Sequence, residues 1–250
     1  MLADKTNYIY TRPSKKLMRL VGRAIADYQM IKDGDRILLG LSGGKDSLAL
    51  LIILHHLSTY APVKFDLAAA TVDPEIEGFN PEPLKDYLKM LGIPYFYQQQ
   101  DIQSQAQTSM DGDSFCSFCS RMKRGILYTT AREHGYNVLA LAQHLDDLAE
   151  SFLMSAFNNG KLQTMKAHYR INKQDLRVIR PLVYVRERQT TDFSKQAQLP
   201  VIMDNCPACF SKPTQREHMK QLLAREEEAN SKLFNSLLQT LKPLMAIDHA

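Results

Sequence analysis

The 250-residue sequence has no apolar run long enough to span a bilayer, and its first residues lack the apolar core of a signal peptide. It also has no internal repeat and no low-complexity tract. Hydrophobic residues make up 44% of the chain and charged residues 23%, which is typical of a globular protein. We therefore predict a cytoplasmic protein without membrane segments. Its length suits one large α/β domain, or one such domain with appendages.

The sequence also lacks a large excess of charge of either sign, because its formal net charge is only +4. A mildly basic chain is compatible with nucleic-acid binding but does not demonstrate it. Basic residues concentrate between residues 161 and 188. They are Lys161, Lys166, Arg170, Lys173, Arg177, Arg180, Arg186 and Arg188, against Asp175 and Glu187. A nucleic-acid-binding face and an ordinary solvated face are both consistent with this basic stretch.

Cysteine is scarce, and the four cysteines form two Cys-x-x-Cys pairs, Cys116/Cys119 and Cys206/Cys209. Stable disulfides are disfavoured in the cytoplasm, so paired spacing indicates a metal or a cluster. The spacing alone is consistent with a four-sulfur structural zinc site, an iron–sulfur cluster or a redox pair. Zinc is the commonest of these.

The central motif of the chain is Ser-Gly-Gly-Lys-Asp-Ser, residues 42–47. The apolar run 37–41 before it predicts a buried strand, and the apolar stretch 48–57 after it predicts a helix. A strand, a glycine turn and a helix point free backbone N–H groups at an anion, and Lys45 adds a positive charge. The carboxylate of Asp46 would repel a phosphate unless it holds a metal ion or positions a reacting group. We predict a phosphate-binding loop here rather than a tight turn capped by a serine.

The usual mononucleotide loop, G-x-x-x-x-G-K-[ST], does not fit this segment. Its spelling instead resembles the PP-loop of the N-type ATP pyrophosphatases, which split ATP between the α and β phosphates and adenylate a substrate. The resemblance implies that ATP binds at seven consecutive residues. They are Leu41, Ser42, Gly43, Gly44, Lys45, Asp46 and Ser47.

Predicted strands and helices alternate from residue 36 to about residue 180. This order predicts an α/β fold with a parallel five-stranded sheet and helices on both faces, Rossmann-like and of the PP-loop adenine nucleotide hydrolase type. The predicted strands cover residues 37–41, 65–72, 94–97, 137–142 and 176–180. We predict an N-terminal helical segment (1–30), a PP-loop ATPase domain containing the cysteines (31–212) and a C-terminal helical extension (213–250). The ligand is expected at the carboxyl ends of the strands.

Two further groups of polar residues follow predicted strands. Lys123 and Arg124 come directly after the first cysteine pair, where positive charge lowers a thiol pKa and can meet a nucleotide phosphate. The segment Gln-His-Leu-Asp-Asp, residues 143–147, ends in the adjacent carboxylates of Asp146 and Asp147. These carboxylates could hold Mg²⁺ or orient a reacting base. The alternative is an acidic first turn of a helix, which is common.

The combined motifs resemble one family, the tRNA-cytidine 2-sulfurtransferases. The resemblance covers about residues 14–215 and rests on the PP-loop, both cysteine pairs, the basic pair, the His-x-Asp-Asp element and Arg180-Pro181-Leu182. It implies ATP-dependent tRNA thiolation. In that reaction a pyrimidine carbonyl, expected to be that of a cytidine, is adenylated and its oxygen is replaced by sulfur to give 2-thiocytidine.

The resemblance also implies site residues, cofactors and partners. It places a [4Fe–4S] cluster on Cys116, Cys119 and Cys209, with Cys206 as the alternative third ligand. The implied catalytic residues are Asp46, Lys123, Asp146 and Asp147. The implied ATP-binding residues outside the PP-loop are Asp73, Arg124, Gly125, Gln143 and His144. Mg²⁺ is the second implied cofactor, and the implied partners are tRNA, a sulfur donor such as a cysteine desulfurase and a second copy of the chain in a homodimer.

The sequence departs from the family pattern next to the His-x-Asp-Asp element, where Ala142 and Gln143 replace the usual Gly-His. Phe210 also follows the late cysteine pair where a glycine is usual. These departures leave open which base is modified. Two other functions are consistent with the motifs. One is an adenylating enzyme for a tRNA uridine or a small molecule, with structural zinc, and the other is a non-catalytic nucleotide-binding or redox-sensing protein.

Overall fold

The computed structural model describes residues 10–75, 78–102, 104–105, 115–171, 175–202 and 214–246. Cys206, Cys209 and the side chain of Cys116 lie outside the described part of the chain. The helices are α1 (Lys15–Asp27), α2 (Lys45–Tyr60), α3 (Glu82–Leu91), α4 (Phe115–Glu133), α5 (Leu145–Asn159), α6 (Glu187–Gln196), α7 (Gln215–Ala229) and α8 (Leu233–Met245). The strands are β1 (Asp35–Gly40), β2 (Phe65–Asp73), β3 (Tyr95–Gln99), β4 (Val138–Ala140), β5 (His168–Arg170) and β6 (Arg177–Ile179).

The strands form a six-stranded sheet in the order β3-β2-β1-β4-β6-β5. The first five strands in this order, β3, β2, β1, β4 and β6, are parallel to one another. They are the five strands predicted from the sequence. The α/β, Rossmann-like class is therefore confirmed, with one correction to the strand count. The additional strand β5 pairs antiparallel with β6 at the sheet edge. It is only three residues long, and its burial falls from His168 to the exposed Arg170, so it carries no apolar pattern that sequence analysis could detect.

Helices cover both faces of the sheet. Successive residues of a strand point to opposite faces, and in β1 the side chains of Ile37 and Leu39 pack into one apolar cluster while Leu38 packs into the other. The first cluster contains α2, whose residues 47–54 are all buried, and side chains of α5, α6, α7 and α8. The second cluster contains side chains of α4. The helix that carries the first cysteine pair thus lies on the opposite face from α2.

From the sequence we expect the last helix to end near Leu241, because of Pro243, and a further strand segment at residues 200–203. The structure differs in both places. The last helix does not stop before Pro243 but continues through it to Met245. The carbonyl groups of a last helical turn lack intrahelical partners, and here the Tyr28 hydroxyl donates to the carbonyl of Lys242 (3.2 Å). The extended segment predicted near residue 200 is not a strand over residues 200–202. The backbone N–H of Ile202 instead donates to the carbonyl of Gly43 (3.0 Å).

Candidate active site

The PP-loop continues β1 beyond the edge of the sheet. The N–H of Leu41 donates to the carbonyl of Ala70 (2.8 Å), and the Thr71 hydroxyl donates to the carbonyl of Leu41 (2.7 Å). Residues of the neighbouring strand β2 therefore bond to both the N–H and the carbonyl of Leu41, which fixes the start of the loop. No side chain caps the N-terminus of α2, where Gly44 is the N-cap residue. The free N–H groups of this helix start can bind a phosphate.

Gly43 is required at the turn for two reasons. Its φ of +86° lies in the left-handed region, which costs an L-residue with a side chain roughly 1–2 kcal/mol. A Cβ atom at this position would also lie 2.2 Å from Cγ1 of Ile202. Gly44, by contrast, has a φ of −73°, and a Cβ there would meet only the Ser42 hydroxyl at 3.4 Å.

Lys45 is held by two carboxylates. Its Nζ lies 2.8 Å from Oδ2 of Asp46 and 3.1 Å from Oε1 of Glu187, the first residue of α6. The other oxygen of Glu187 accepts a hydrogen bond from Nζ of Lys220 on α7 (2.8 Å). Burial would lower the pKa of Lys45, but these carboxylates outweigh it and raise the pKa. Thr190 completes the network, because its buried hydroxyl donates to Oδ1 of Asp46 (2.5 Å).

We expect Glu187→Gln to lower the stability of the fold at neutral pH but not in strong acid. Burial raises the pKa of Glu187, but Lys220 and Lys45 outweigh it and lower the pKa to about 2, against 4.5 in the unfolded chain. Its carboxylate therefore stabilises the fold above about pH 4.5, and this contribution is lost as the pH falls towards 2. The measurement is denaturant unfolding of the wild type and the variant from pH 7 to pH 2.

The matched control for this prediction is Glu228→Gln, because Glu228 is exposed on α7. We expect its stability to follow that of the wild type at every pH. A Glu187→Gln variant whose loss of stability is the same at pH 7 and pH 2 would contradict the role of these ion pairs.

The adjacent carboxylates of Asp146 and Asp147 are already occupied. Asp146 accepts from Nε of Arg186 (3.0 Å) and from the first backbone N–H of α6 (2.7 Å). Asp147 accepts from Nη2 of Arg216 (2.7 Å) and from the backbone N–H of His144 (2.8 Å). All four oxygens therefore accept hydrogen bonds. This arrangement fits the positioning of α6 and α7 better than direct coordination of Mg²⁺, which needs several oxygen ligands in octahedral geometry.

His144 links the acidic pair to the PP-loop. It is buried, caps α5 through a hydrogen bond from the N–H of Asp147 to Nδ1 (3.3 Å), and places Nε2 3.7 Å from Oδ2 of Asp46. The predicted ATP-binding and catalytic residues of the two motifs are thus brought together. Among the described residues, no group of three or more His, Cys, Asp or Glu side chains is arranged to hold a metal ion.

Asp73 lies at the carboxyl end of β2, two strand residues beyond Thr71. Its carboxylate is buried and accepts hydrogen bonds from the hydroxyl of Tyr97 on β3 and from the N–H of Glu75 (2.7 Å). Asp73, a predicted ATP-binding residue, therefore lies at the same edge of the sheet as the PP-loop. Sequence analysis missed its partner Tyr97, because the register that joins β2 to β3 is not visible in the chain.

Helix α4 runs against the strand direction. Just after its end, the carbonyl of Gly135 accepts a hydrogen bond from Nη1 of Arg36, near the start of β1 (3.1 Å). With 19 residues α4 is about 28 Å long, longer than the roughly 20 Å of the six-residue β1. Leu127 of α4 lies beside Gly40, the last residue of β1, where a Cβ atom would be 3.0 Å from Cδ1 of Leu127. The turns before Leu127, which contain the half-buried Cys119, therefore extend to the carboxyl edge where the PP-loop lies. Lys123 is half-buried one turn further on, and Arg124 and Gly125 are exposed.

Three arginines of the basic stretch are inside the protein. Arg177 is 6% exposed and Arg180 is 3% exposed, and the side chain of Arg186 is 12% exposed. Arg177 pairs with the buried Asp35, and Arg186 forms two 2.7 Å hydrogen bonds with the carboxylate of Glu227. These side chains hold elements together and do not form a nucleic-acid-binding face.

Arg180 follows β6 at the carboxyl edge. Its Nε donates to Oε1 of Gln143 (2.8 Å), Nη1 donates to the carbonyl of Lys166 (2.6 Å), and its guanidinium lies 5.4 Å from the centre of the Tyr169 ring. Burial lowers the pKa of Arg180. Burial and the neighbouring Tyr169 hydroxyl raise the pKa of Tyr128 to about 12.

Comparison with known proteins agrees with this geometry. The sequence pattern of the PP-loop domain family matches residues 13–225. The tRNA-cytidine(32) 2-sulfurtransferase of Geobacter sulfurreducens is 42% identical over 228 residues, which cover 91% of this chain and 89% of that protein. The enzyme of the same name from Geobacter metallireducens is 42% identical over 230 residues, with the same coverage. The chain belongs to the tRNA-cytidine 2-sulfurtransferase family.

A solved structure supports the fold of this family member. The U34-tRNA thiolase NcsA from Methanococcus maripaludis, determined with its [4Fe-4S] cluster, superposes with a TM-score of 0.76. It is 23% identical, and the match covers 94% of this chain and 79% of that chain. The likeness confirms the α/β fold, and the match to the PP-loop domain family gives its type. None of the described helices is long and apolar enough to cross a membrane.

In this member of the tRNA-cytidine 2-sulfurtransferase family, sequence analysis missed the residues that α6 and α7 bring to the site. They are Glu187, Thr190, Arg216 and Lys220. All are polar residues of amphipathic helices, and no local pattern distinguishes them from ordinary surface residues. The partners of these residues are far away in the sequence, so the contacts become visible only in the fold.

Proposed function

We propose that the protein is an ATP-dependent tRNA thiolase that converts a cytidine to 2-thiocytidine. The observation that carries this proposal is the direction of α4, which brings Cys119 to the sheet edge occupied by the PP-loop. One base bound at this edge can meet an activating phosphate and a sulfur-handling cysteine pair. The 42% identity to enzymes named tRNA-cytidine(32) 2-sulfurtransferase supports the choice of cytidine.

The first step of the proposed reaction is adenylation. The cytidine O2 attacks the α-phosphorus of ATP, the bond to the β-phosphate breaks, and pyrophosphate leaves. The uncapped N–H groups of α2 and the ammonium of Lys45 stabilise the charge that develops on the phosphate oxygens. Asp146 and Asp147 already accept hydrogen bonds from arginine side chains. Mg²⁺ would therefore be bound mainly by the ATP phosphates, and Asp46 is the carboxylate that the PP-loop itself offers.

The second step replaces the adenylated oxygen by sulfur, and AMP leaves. Cys119 is half-buried at the site. Ile202, which lies four residues before Cys206 in the sequence, is hydrogen-bonded to Gly43 of the PP-loop. Four residues span at most about 14 Å, so the chain towards the late cysteine pair starts beside the PP-loop. The proposed ligands of a [4Fe–4S] cluster are Cys116, Cys119 and Cys209, with Cys206 as the alternative third ligand. When bound, the cluster supplies an iron with an open position that can carry sulfide.

Other residues and partners complete the proposal. Lys123, one turn beyond Cys119, is the proposed basic catalytic residue, and Arg124 and Gly125 remain proposed ATP contacts. The target nucleotide would be splayed out of a tRNA loop, as single-stranded RNA recognition requires. A cysteine desulfurase or a similar donor would supply the sulfur. We further propose that the protein acts in the cytoplasm, as a homodimer.

The test is anaerobic purification of the wild type and of Cys119→Ser, followed by iron, sulfide and zinc analysis and by nucleoside analysis of the treated tRNA. We expect about four irons and four sulfides per wild-type chain and formation of 2-thiocytidine. In Cys119→Ser we expect thiolation to be lost while ATP still binds, because the PP-loop is unchanged. One zinc without iron in an active adenylating enzyme would contradict the cluster and favour structural zinc.

A further inference from the structure

The side-chain amide of Gln143 has a fixed orientation. Arginine carries only hydrogen-bond donors, so the atom of Gln143 that faces Nε of Arg180 at 2.8 Å must be the amide oxygen. Arg180 is itself fixed, because it is 3% exposed and also donates to the carbonyl of Lys166. The amide NH₂ group of Gln143 therefore points away from Arg180. Within the described part of the chain this NH₂ group makes no hydrogen bond, and the side chain is half-exposed.

Gln143 lies between the PP-loop and helix α4. On one side the next residue, His144, places Nε2 3.7 Å from the PP-loop carboxylate of Asp46. On the other side Arg180 lies over Tyr169, whose hydroxyl is 3.4 Å from that of Tyr128 on α4. A base that is adenylated at the PP-loop and then receives sulfur near α4 must lie between these elements. The free NH₂ group of Gln143 is placed to meet that base.

We propose that Gln143 selects cytidine by donating a hydrogen bond to N3 of the base, and that Arg180 is the positioning residue that fixes its amide. This inference rests on the proposed function. Cytosine presents an unprotonated acceptor at N3, whereas uracil presents an N3–H donor. An amide whose oxygen is held by Arg180 offers only donors, so it bonds to cytosine and repels the N3–H of uracil. Gln143 is thereby assigned to the base rather than to ATP.

The test uses two anticodon stem-loop RNAs that differ only in the target nucleotide, cytidine or uridine. The ratio of kcat/KM for thiolation of the two RNAs measures selectivity, and the KM for ATP is measured in parallel. In Gln143→Glu the donors are replaced by acceptors, and the new carboxylate keeps the contact with Arg180. We expect the cytidine-to-uridine ratio to fall about 10- to 100-fold, with the KM for ATP changed less than about threefold.

Arg180→Lys tests the positioning role. Lysine keeps the charge but cannot hold both Gln143 and the carbonyl of Lys166, so the amide can turn over. We expect lower selectivity and a retained KM for ATP, whereas a purely structural role would lower activity on both RNAs equally. The matched control is Gln163→Glu, because Gln163 is exposed just after α5 and its change adds the same charge. Its selectivity should equal that of the wild type.

The outcomes separate this inference from the proposed function. An active Gln143→Glu variant with an unchanged ratio would refute the selection of the base by Gln143. A raised KM for ATP with an unchanged ratio would do the same and assign Gln143 to ATP. A wild-type protein that thiolates neither RNA would refute the proposed function itself, and the inference with it.

Discussion

Gly43→Ala is expected to reduce ATP-dependent pyrophosphate release at least about 100-fold. The alanine must adopt a φ of +86°, and its Cβ would lie 2.2 Å from Cγ1 of Ile202. Either the loop or residue 202 must move, and Ile202 is tied to the loop by its N–H bond to the carbonyl of Gly43. The phosphate-binding N–H groups would be displaced by about an ångström, which is enough to lose the aligned transition state. Pyrophosphate release and ATP binding measure the effect.

Two control variants separate the causes of this loss. Gly44→Ala places a Cβ in ordinary contact at 3.4 Å with a φ of −73°, so its thermal midpoint should stay near that of the wild type. Adding Ile202→Ala to Gly43→Ala removes the clash but keeps the positive φ, so it should restore part of the activity. Full activity of the single variant would show that the loop does not act as the phosphate site.

The sheet and the PP-loop were predictable because their signals are local. Each parallel strand is a short apolar run bounded by glycine or polar residues, and the helices carry their own start and stop residues. Ser14, for example, caps α1 by accepting from the N–H of Leu17, and Gly92 and Gly160 end α3 and α5 with positive φ. These features act over three or four residues and can therefore be identified from the chain alone.

The surroundings of the site were not predictable because they depend on distant partners. Glu187 contacts Lys45 across 142 residues, and Arg216 contacts Asp147 across 69 residues. A sequence shows the charge of such residues but not which charge they meet. For the acidic pair, the sequence is consistent with binding of Mg²⁺, with orientation of a reacting base and with an ordinary acidic first turn of a helix. The structure shows both carboxylates engaged with α6 and α7, and their catalytic roles stay a prediction.

The basic stretch shows the same limit, because composition cannot distinguish a buried arginine from a solvated one. Arg177 and Arg170 are both in this stretch, seven residues apart, yet Arg177 is buried against Asp35 and Arg170 is exposed at the end of β5. Nη1 of Arg177 also donates to the carbonyl of Met30 (3.2 Å), which joins β6 to the segment before β1. Arg177 stabilises the fold from inside the protein, whereas Arg170 lies at the surface.

Arg177→Ala is therefore expected to destabilise the protein by about 3–5 kcal/mol, since it leaves the buried carboxylate of Asp35 without its charged partner. Arg170→Ala should cost at most about 1 kcal/mol, because the interactions of an exposed arginine contribute little to stability. It should instead weaken tRNA binding and reduce the slope of log K against log salt by about 1. Denaturant unfolding and tRNA titrations at several salt concentrations test both. If Arg177→Ala folds normally and only loses tRNA affinity, the buried ion pair is not a structural element and the basic stretch binds RNA as a whole.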